Sequence, residues 1–302
     1  MTAPATLNVL QVNTGPAPFD VCVVGSSNLD LVVTAPRHPV PGETLLGTAY
    51  HEYPGGKGLN QVVAASRAGA RAAFVSALGD DSAGQRLAGV LADEDIDATA
   101  VQWLASTATG RALITVDAAG ENSIVVIPGA NADLQPAPLP DARVVLGQLE
   151  IPVAVVADAF AQARAISRMT ILNPAPATAL PDELLRQCTI VIPNEHEHAQ
   201  LGGADRLFRL GVEAVVTTLG GDGVEVETTD GRRRIEPFAV QPIDTTGAGD
   251  AFCGSFAVAI ADGADPLTAA RFAAAAGAIA TTRAGAVPSL PRRADIDALL
   301  AG

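Results

Sequence analysis

Pro54-Gly-Gly-Lys-Gly-Leu-Asn-Gln61, PGGKGLNQ, holds the only lysine of the chain between glycines, while every other strongly basic residue is arginine. Upstream, LLGTAYHEYP alternates weakly, as an exposed strand does. Downstream, Gly58–Ala68 follows a helical period, with Gly69 as its stop. The stretch is therefore a strand-to-helix turn, and the same alternation runs outward from it. FDVCVVGSSNLDLVV, from Phe19, predicts a buried strand, a turn and a second strand; AAFVSALG predicts another strand and DSAGQRLAGVLADEDI a helix. The pattern resumes in ARVVLGQLE, the helix Val153–Ser167, MTILNPAP, CTIVIPNE and VEAVVTTLGGDGVEVET. Strands alternating with helices predict an α/β fold with a mostly parallel sheet covered on both faces. Two segments break the rhythm, residues 31–53 and 110–127. The second is a hairpin turning at Asp117–Asn122, and together they predict a small β-sheet lid.

The chain has 302 residues, 48% hydrophobic but only 4% aromatic, so its core is built from Ala, Val, Leu and Ile. A net charge of -14 argues against a nucleic-acid partner, because an acidic surface repels phosphate backbones. Cys22, Cys188 and Cys253 lack metal-ligand spacing, and an odd count without a framework points to a reducing, cytoplasmic setting. Residues 1–18 read as a mobile leader with neither a signal peptide's charge nor its apolar run, and no membrane span is expected.

A second glycine-rich loop, Asp244-Thr-Thr-Gly-Ala-Gly-Asp-Ala-Phe-Cys-Gly254, precedes the very apolar segment Ala251–Ala261; a second such segment, Pro266–Thr282, follows. The first N–H groups of a helix have no internal partner, so this end suits an anion. Asp250 would lie where its carboxylate accepts a proton from an alcohol beside that anion, the arrangement phosphoryl transfer requires. An aspartate simply capping a glycine-relieved helix is the competing reading, of about equal weight for this loop alone. A Walker loop is excluded because Gly58 follows Lys57, and a dinucleotide fingerprint because Phe252 stands where glycine is needed.

Gly55-Gly-Lys-Gly-Leu-Asn60 and Asp244-Thr-Thr-Gly-Ala-Gly-Asp250 together resemble the paired signatures of the ribokinase-like, or phosphofructokinase-B type, sugar kinases. GSSNLDLVV, VPGETLLG, GQLE, LNPAPA, IPNEHE, TTLGGDGV and TRAGAVPS extend the resemblance in order from about Val21 to Leu300. The resemblance implies a three-layer α/β/α domain over residues 19–302 with a lid, ATP as donor, and transfer to a terminal hydroxyl, most simply O5 of ribose. It implies sugar contacts at Asn28, Asp30, Gly55, Gly56, Lys57, Asn60 and Glu150, with Lys57 facing the sugar and not ATP. Asp250 corresponds to the catalytic base, with the backbone of Gly247, Ala248 and Gly249 as the anion hole. Asn194 and Glu197 match residues associated with the phosphates and hydrated magnesium, and Thr218, Gly220 and Gly223 match the nucleotide loop, joined by Gly249. A potassium-type site is implied at Asp244, Thr246, Ala280, Arg283, Gly285 and Ser289, and a homodimer joined through the lids.

Deoxyribose, fructose, a sugar phosphate or a nucleoside stay open as substrates, as does a silent sugar- or nucleotide-binding regulator, although binding alone would not need Asp250. Arg111, on the first hairpin strand, bears on sugar choice only if it turns inward. His196 and His198 cannot share a helix face and read as surface residues, Arg232–Arg234 as a solvated hairpin flank, and Trp103 as having no stacking role.

Overall fold

The computed structural model describes residues 16–302. The chain first forms β1 (Phe19–Val24), β2 (Asn28–Thr34), β3 (Ala49–Gly55), α1 (Lys57–Arg67), β4 (Ala72–Gly79) and α2 (Ser82–Asp93). There follow β5 (Val101–Leu104), β6 (Gly110–Val116), β7 (Asn122–Ile127), α3 (Ala130–Asp133), β8 (Ala142–Gly147), α4 (Val153–Ala165) and β9 (Met169–Leu172). Then come α5 (Asp182–Leu185), β10 (Ile190–Val191), α6 (Glu195–Gln200), α7 (Ala204–Arg209), β11 (Ala214–Thr218), β12 (Val224–Thr228) and β13 (Gly231–Ile235). Helices α8 (Ala248–Ala261), α9 (Pro266–Ala280) and α10 (Arg293–Ala301) complete the chain.

A nine-stranded sheet has the order β13-β12-β11-β10-β9-β8-β1-β4-β5. The strands from β11 to β5 are mutually parallel, and β12 and β13 close one edge as an antiparallel hairpin. Successive strand residues point to opposite faces. Val21 and Val23 thus join one core with Leu59 of α1 and Phe256 of α8, while Cys22 and Val24 join the other with Phe160 of α4. This is the expected three-layer α/β/α arrangement, and each Val or Leu withdrawn from water contributes about 1.5–3 kcal/mol. The chain leaves β1 toward β4 on one side and returns through β8 on the other. The carboxyl ends of β1 and β8 therefore flank a topological switch point, where open α/β sheets place ligands.

Alanine and glycine in α8 and α9 allow close helix packing. A Cβ at Gly254 would lie 2.4 Å from the Gln61 carbonyl oxygen and 2.7 Å from Ala64 Cβ, so α8 lies directly against α1. That contact brings Asn60 and Gln61 to the first turn of α8.

The lid is a separate four-stranded sheet, β3-β2-β6-β7. Two ion pairs anchor it to the start of the helical layer, Arg86 to Glu52 at 2.5 Å and Arg111 to Asp81 at 3.3 Å. Arg111 stands opposite Leu29 and Ile127, whereas Asp30 stands opposite Ala112. Arg111 is thus on the face away from Asp30, held by Asp81 and the Thr109 carbonyl.

Some elements differ from expectation. Residues 1–15 of the expected leader lie outside the described residues, but Ala17 is buried and its carbonyl accepts from Arg71. The arginines at 232–234 are exposed on a hairpin, as expected, and that hairpin strand is part of the main sheet. They form edge strand β13, with Arg232 paired to Glu225 and Glu227 across β12. His198 also departs from a simple surface role, with Nε2 lying 3.7 Å from buried Glu227. No cluster of three or more His, Cys, Asp or Glu suited to a metal, and no helix long and apolar enough to cross a membrane, occurs among the described residues.

Candidate active site

Asp250 lies in the first turn of α8, 8% exposed. Asn60 Nδ2 donates to its Oδ2 and Gln61 Nε2 to its Oδ1, both at 2.9 Å. Burial pushes its pKa up; the Lys57 ammonium and the Gln61 and Asn60 amides pull it back, and the net position is above the usual carboxylate range. Before it, Gly247 adopts φ 76°, a left-handed turn that an L side chain resists. Ala248 is removed from the expected anion hole, because its N–H donates to the Thr245 carbonyl at 3.2 Å. The N–H groups of Gly247, Gly249 and Asp250 have no such partner among the described residues and are the ones free for an anion.

These residues open onto a cavity of about 250 Å³ that also meets Lys57, Asn173, Asn194, Glu197, Thr218, Thr245 and Cys253. Lys57 does not turn solely to the sugar side. Lys57 lines this cavity together with Asn194, Glu197 and Thr218, the residues expected on the nucleotide side, and interacts with the Asp250, Glu150 and Glu197 carboxylates. Burial disfavours the Lys57 ammonium, but the Asp250, Glu150 and Glu197 carboxylates outweigh it and hold its pKa above the ordinary value.

The remaining expected sugar contacts gather beside Asp250, beneath the lid. Glu150 Oε2 accepts from the Ser26 hydroxyl at 2.5 Å and the Lys57 N–H at 3.0 Å, tying PGGKGLNQ to the turn after β1. Burial raises Asp30 to about 7, reinforced by the Glu150 and Asp250 charges. Asn28 is buried, and Asn131 Nδ2 donates to its Oδ1 at 2.8 Å. A Cβ at Gly55 would fall 2.1 Å from the Asp30 carboxylate, and one at Gly56, where φ is 89°, 2.8 Å from the Asn28 nitrogen. These glycines are required by the protein's own packing, before any ligand arrives.

Asn194 and Glu197, expected on the nucleotide side, form a capping box at α6. Glu197 N donates to Asn194 Oδ1, and Asn194 N to Glu197 Oε2. The box leaves Glu197 Oε1 without a hydrogen bond among the described residues, and Glu197 lines the cavity, which suits the water shell of a magnesium ion. Thr218 lines the cavity, but Gly220 and Gly223 lie in the turn beyond it and do not. At Gly223 a Cβ would be 2.1 Å from the Ile235 carbonyl oxygen, so packing against β13 explains that glycine.

The two loops expected to hold potassium are joined. Asp244 Oδ1 accepts from Thr246 N at 2.9 Å, Oδ2 from Gly285 N at 2.8 Å, and Asp244 N donates to the Thr281 carbonyl. Burial raises the Asp244 carboxyl, but hydrogen bonds from Thr246 and Gly285 outweigh it and keep it ionised below the usual range. The Ser289 hydroxyl donates to the Ala286 carbonyl, and the Ala280 carbonyl already receives the Arg283 N–H at 3.3 Å. An oxygen-rich, singly anionic junction of this kind fits a weakly hydrated monovalent cation.

Residues 19–293 match the model of the pfkB family carbohydrate kinases. The chain belongs to that family. Ribokinase of Haemophilus influenzae is 41% identical to this kinase over 290 residues, covering 90% of this chain and 95% of the relative. Ribokinase of Bacillus subtilis is 38% identical over 292 residues, covering 93% and 99%. A structure of Arabidopsis thaliana ribokinase complexed with ribose and ATP matches with a TM-score of 0.88 and 32% identity, covering 94% of this chain and 99% of that one.

Four polar residues of this kinase's site escaped the sequence reading: Gln61, Asn131, Gln148 and Asn173. Gln61 and Gln148 are fully buried. Their signal was an amide inside an otherwise apolar run, VVLGQL for Gln148, since buried amides need partners. Asn131 carried no local signal, because its partners Ser27 and Asn28 are more than 100 residues away.

Proposed function

We propose that this pfkB family kinase transfers the γ-phosphoryl group of ATP to O5 of D-ribose. The observation that carries this reading is the Asp250 carboxylate, held by two amide donors at the N-terminus of α8, beside unpaired N–H groups and facing the same cavity as Lys57. Asp250 takes the O5 proton as the new O5–phosphorus bond forms and the bond to the β-phosphate oxygen breaks, releasing ADP and ribose 5-phosphate. The Gly247 and Gly249 N–H groups and the Lys57 ammonium stabilise charge on the transferring oxygens. Asn28, Asp30, Asn60 and Glu150 hold the sugar, and the lid excludes water that would hydrolyse ATP. Glu197 and Asn194 would hold hydrated magnesium, which neutralises phosphate charge when bound. The Asp244 and Gly285 loops would hold potassium, steadying the turn that carries the anion hole. Ile124, Val125, Val126 and Ile127 on edge strand β7 are exposed, and this apolar edge supports pairing of two copies through their lids. Three buried free cysteines support a reducing cytoplasmic setting.

The deciding experiment measures ADP release with ribose, deoxyribose, fructose and adenosine as acceptors. Ribose is expected to give the highest kcat/KM. Preference for another acceptor would remove ribose as the substrate, and no turnover with any would remove the kinase activity itself.

A further inference from the structure

Beneath Asp250 runs a chain of side-chain amides with a single direction. Asn173 Nδ2 donates to the Ile192 carbonyl at 3.0 Å, so its Oδ1 is left to accept. Gln61 Nε2 donates to that oxygen at 3.1 Å and, with its second hydrogen, to Asp250 Oδ1 at 2.9 Å. Gln61 Oε1 then accepts from Gln148 Nε2 at 2.5 Å. A backbone carbonyl can only accept, so Ile192 sets the polarity of the whole chain. Gln61 therefore always presents a donor to Asp250, never its oxygen. The relay has been given room: a Cβ at Gly25 would fall 2.0 Å from Gln148 Oε1. Gln61 and Gln148 are both 0% exposed; Gln61 is partnered at both amide atoms, whereas Gln148 bonds through Nε2 and its Oε1 has no partner among the described residues.

We propose that Gln61, oriented by Asn173 and Gln148, is a positioning residue that keeps Asp250 ionised and aimed during phosphoryl transfer. The proposal rests on the reading of Asp250 as the base. A donor to the carboxylate favours its charged form, opposing the desolvation that burial imposes. Other charged and titratable groups face Asp250 from every side: Lys57 on α1, Asp30 on β2, Glu150 after β8, Glu197 on α6 and Cys253 on α8 itself. Lys57 supplies attraction, but among the described residues only the Gln61 and Asn60 amides bond the two carboxylate oxygens directly. Asn60 is among the proposed sugar contacts and Gln61 is not, which makes Gln61 the cleaner site to perturb.

The test follows kcat against pH at saturating ribose and ATP, so that Asp30 protonation affects mainly KM. An ionised base gives a rate that rises with pH through its pKa. Gln61→Met removes the donor, and the acid limb of kcat should move up by about one pH unit, with kcat on that limb about tenfold lower. The deficit should shrink at higher pH, and KM for ribose should stay within about twofold. Gln148→Met, which frees one end of the relay without touching Asp250, should shift the limb the same way by less, and it provides the reading if Gln61→Met fails to fold. An unmoved limb with kcat lowered equally at all pH values, or a raised KM with kcat intact, would overturn the relay. Asp250→Asn separates the two readings. Turnover surviving there removes the base and the relay with it, whereas turnover lost there with an unmoved limb in Gln61→Met removes the relay alone.

Discussion

The two glycine-rich loops have similar compositions and opposite physical reasons for them. In PGGKGLNQ the space a side chain would need is filled by protein: a Cβ at Gly58 would fall 2.5 Å from the Gly25 carbonyl carbon and the Ser26 nitrogen. In DTTGAGDAFCG, a Cβ at Gly249 would meet nothing within 4 Å and would enter the cavity. Glycine in the first loop lets two backbone segments touch, so that Glu150, Ser26 and Lys57 can bind one another. In the second loop Gly254 likewise makes room for α1 and Gly247 serves a left-handed turn; Gly249 alone leaves room for something the protein does not supply. A loop's glycines thus announce a ligand only where the vacated space stays empty.

The comparison can be broken at each loop in turn. Gly249→Ala should leave Tm within a degree or two while kcat falls about 100-fold or more, because the methyl group occupies the anion hole. A normal kcat would mean that the space is not used in the reaction. Gly58→Ala should do the reverse: a loss of about 2–3 kcal/mol in chemical denaturation, with residual folded enzyme still turning over, since the added methyl presses on backbone that cannot yield. Unchanged stability would refute the packing reading.

Asp30 sharpens the same contrast on the sugar side. Its pKa of about 7 in the folded protein lies above the unfolded value of about 3.9. The folded state therefore binds this proton more tightly, and the stability Asp30 contributes is full below the unfolded value and lost as pH rises through about 7. Asp30→Asn should raise the Tm of the ligand-free protein by a few degrees at pH 8, less at pH 5, while KM for ribose rises about tenfold or more. A lower Tm at pH 8 would show that the buried charge is compensated elsewhere. The smallest effect concerns the junction at Asp244: turnover in potassium should exceed turnover in sodium several-fold, and equal rates would count against a cation there.

Much of this was legible in the chain. Strand-helix alternation predicted the parallel sheet and the two interruptions predicted the lid. The short strand Val101–Leu104 was not legible, because four residues with a polar Gln102 and a half-exposed Trp103 carry no period. Strand β13 was hidden by its three exposed arginines, of which Arg232 pairs with Glu225 and Glu227 on β12. Side-chain direction was the larger gap. The resemblance assigned Lys57 to the sugar, whereas in the fold it lines a cavity shared with Asn194, Glu197 and Thr218. Gln61 was visible as a residue and invisible as a partner, because Asn173 and Gln148 approach it from distant strands.

The most direct test of the account is the Asp250→Asn variant, assayed for ATP-dependent phosphorylation of ribose and, by calorimetry, for ribose binding. Turnover should fall at least about 100-fold while ribose still binds. Turnover near the unsubstituted rate would contradict the assignment of Asp250 as the base.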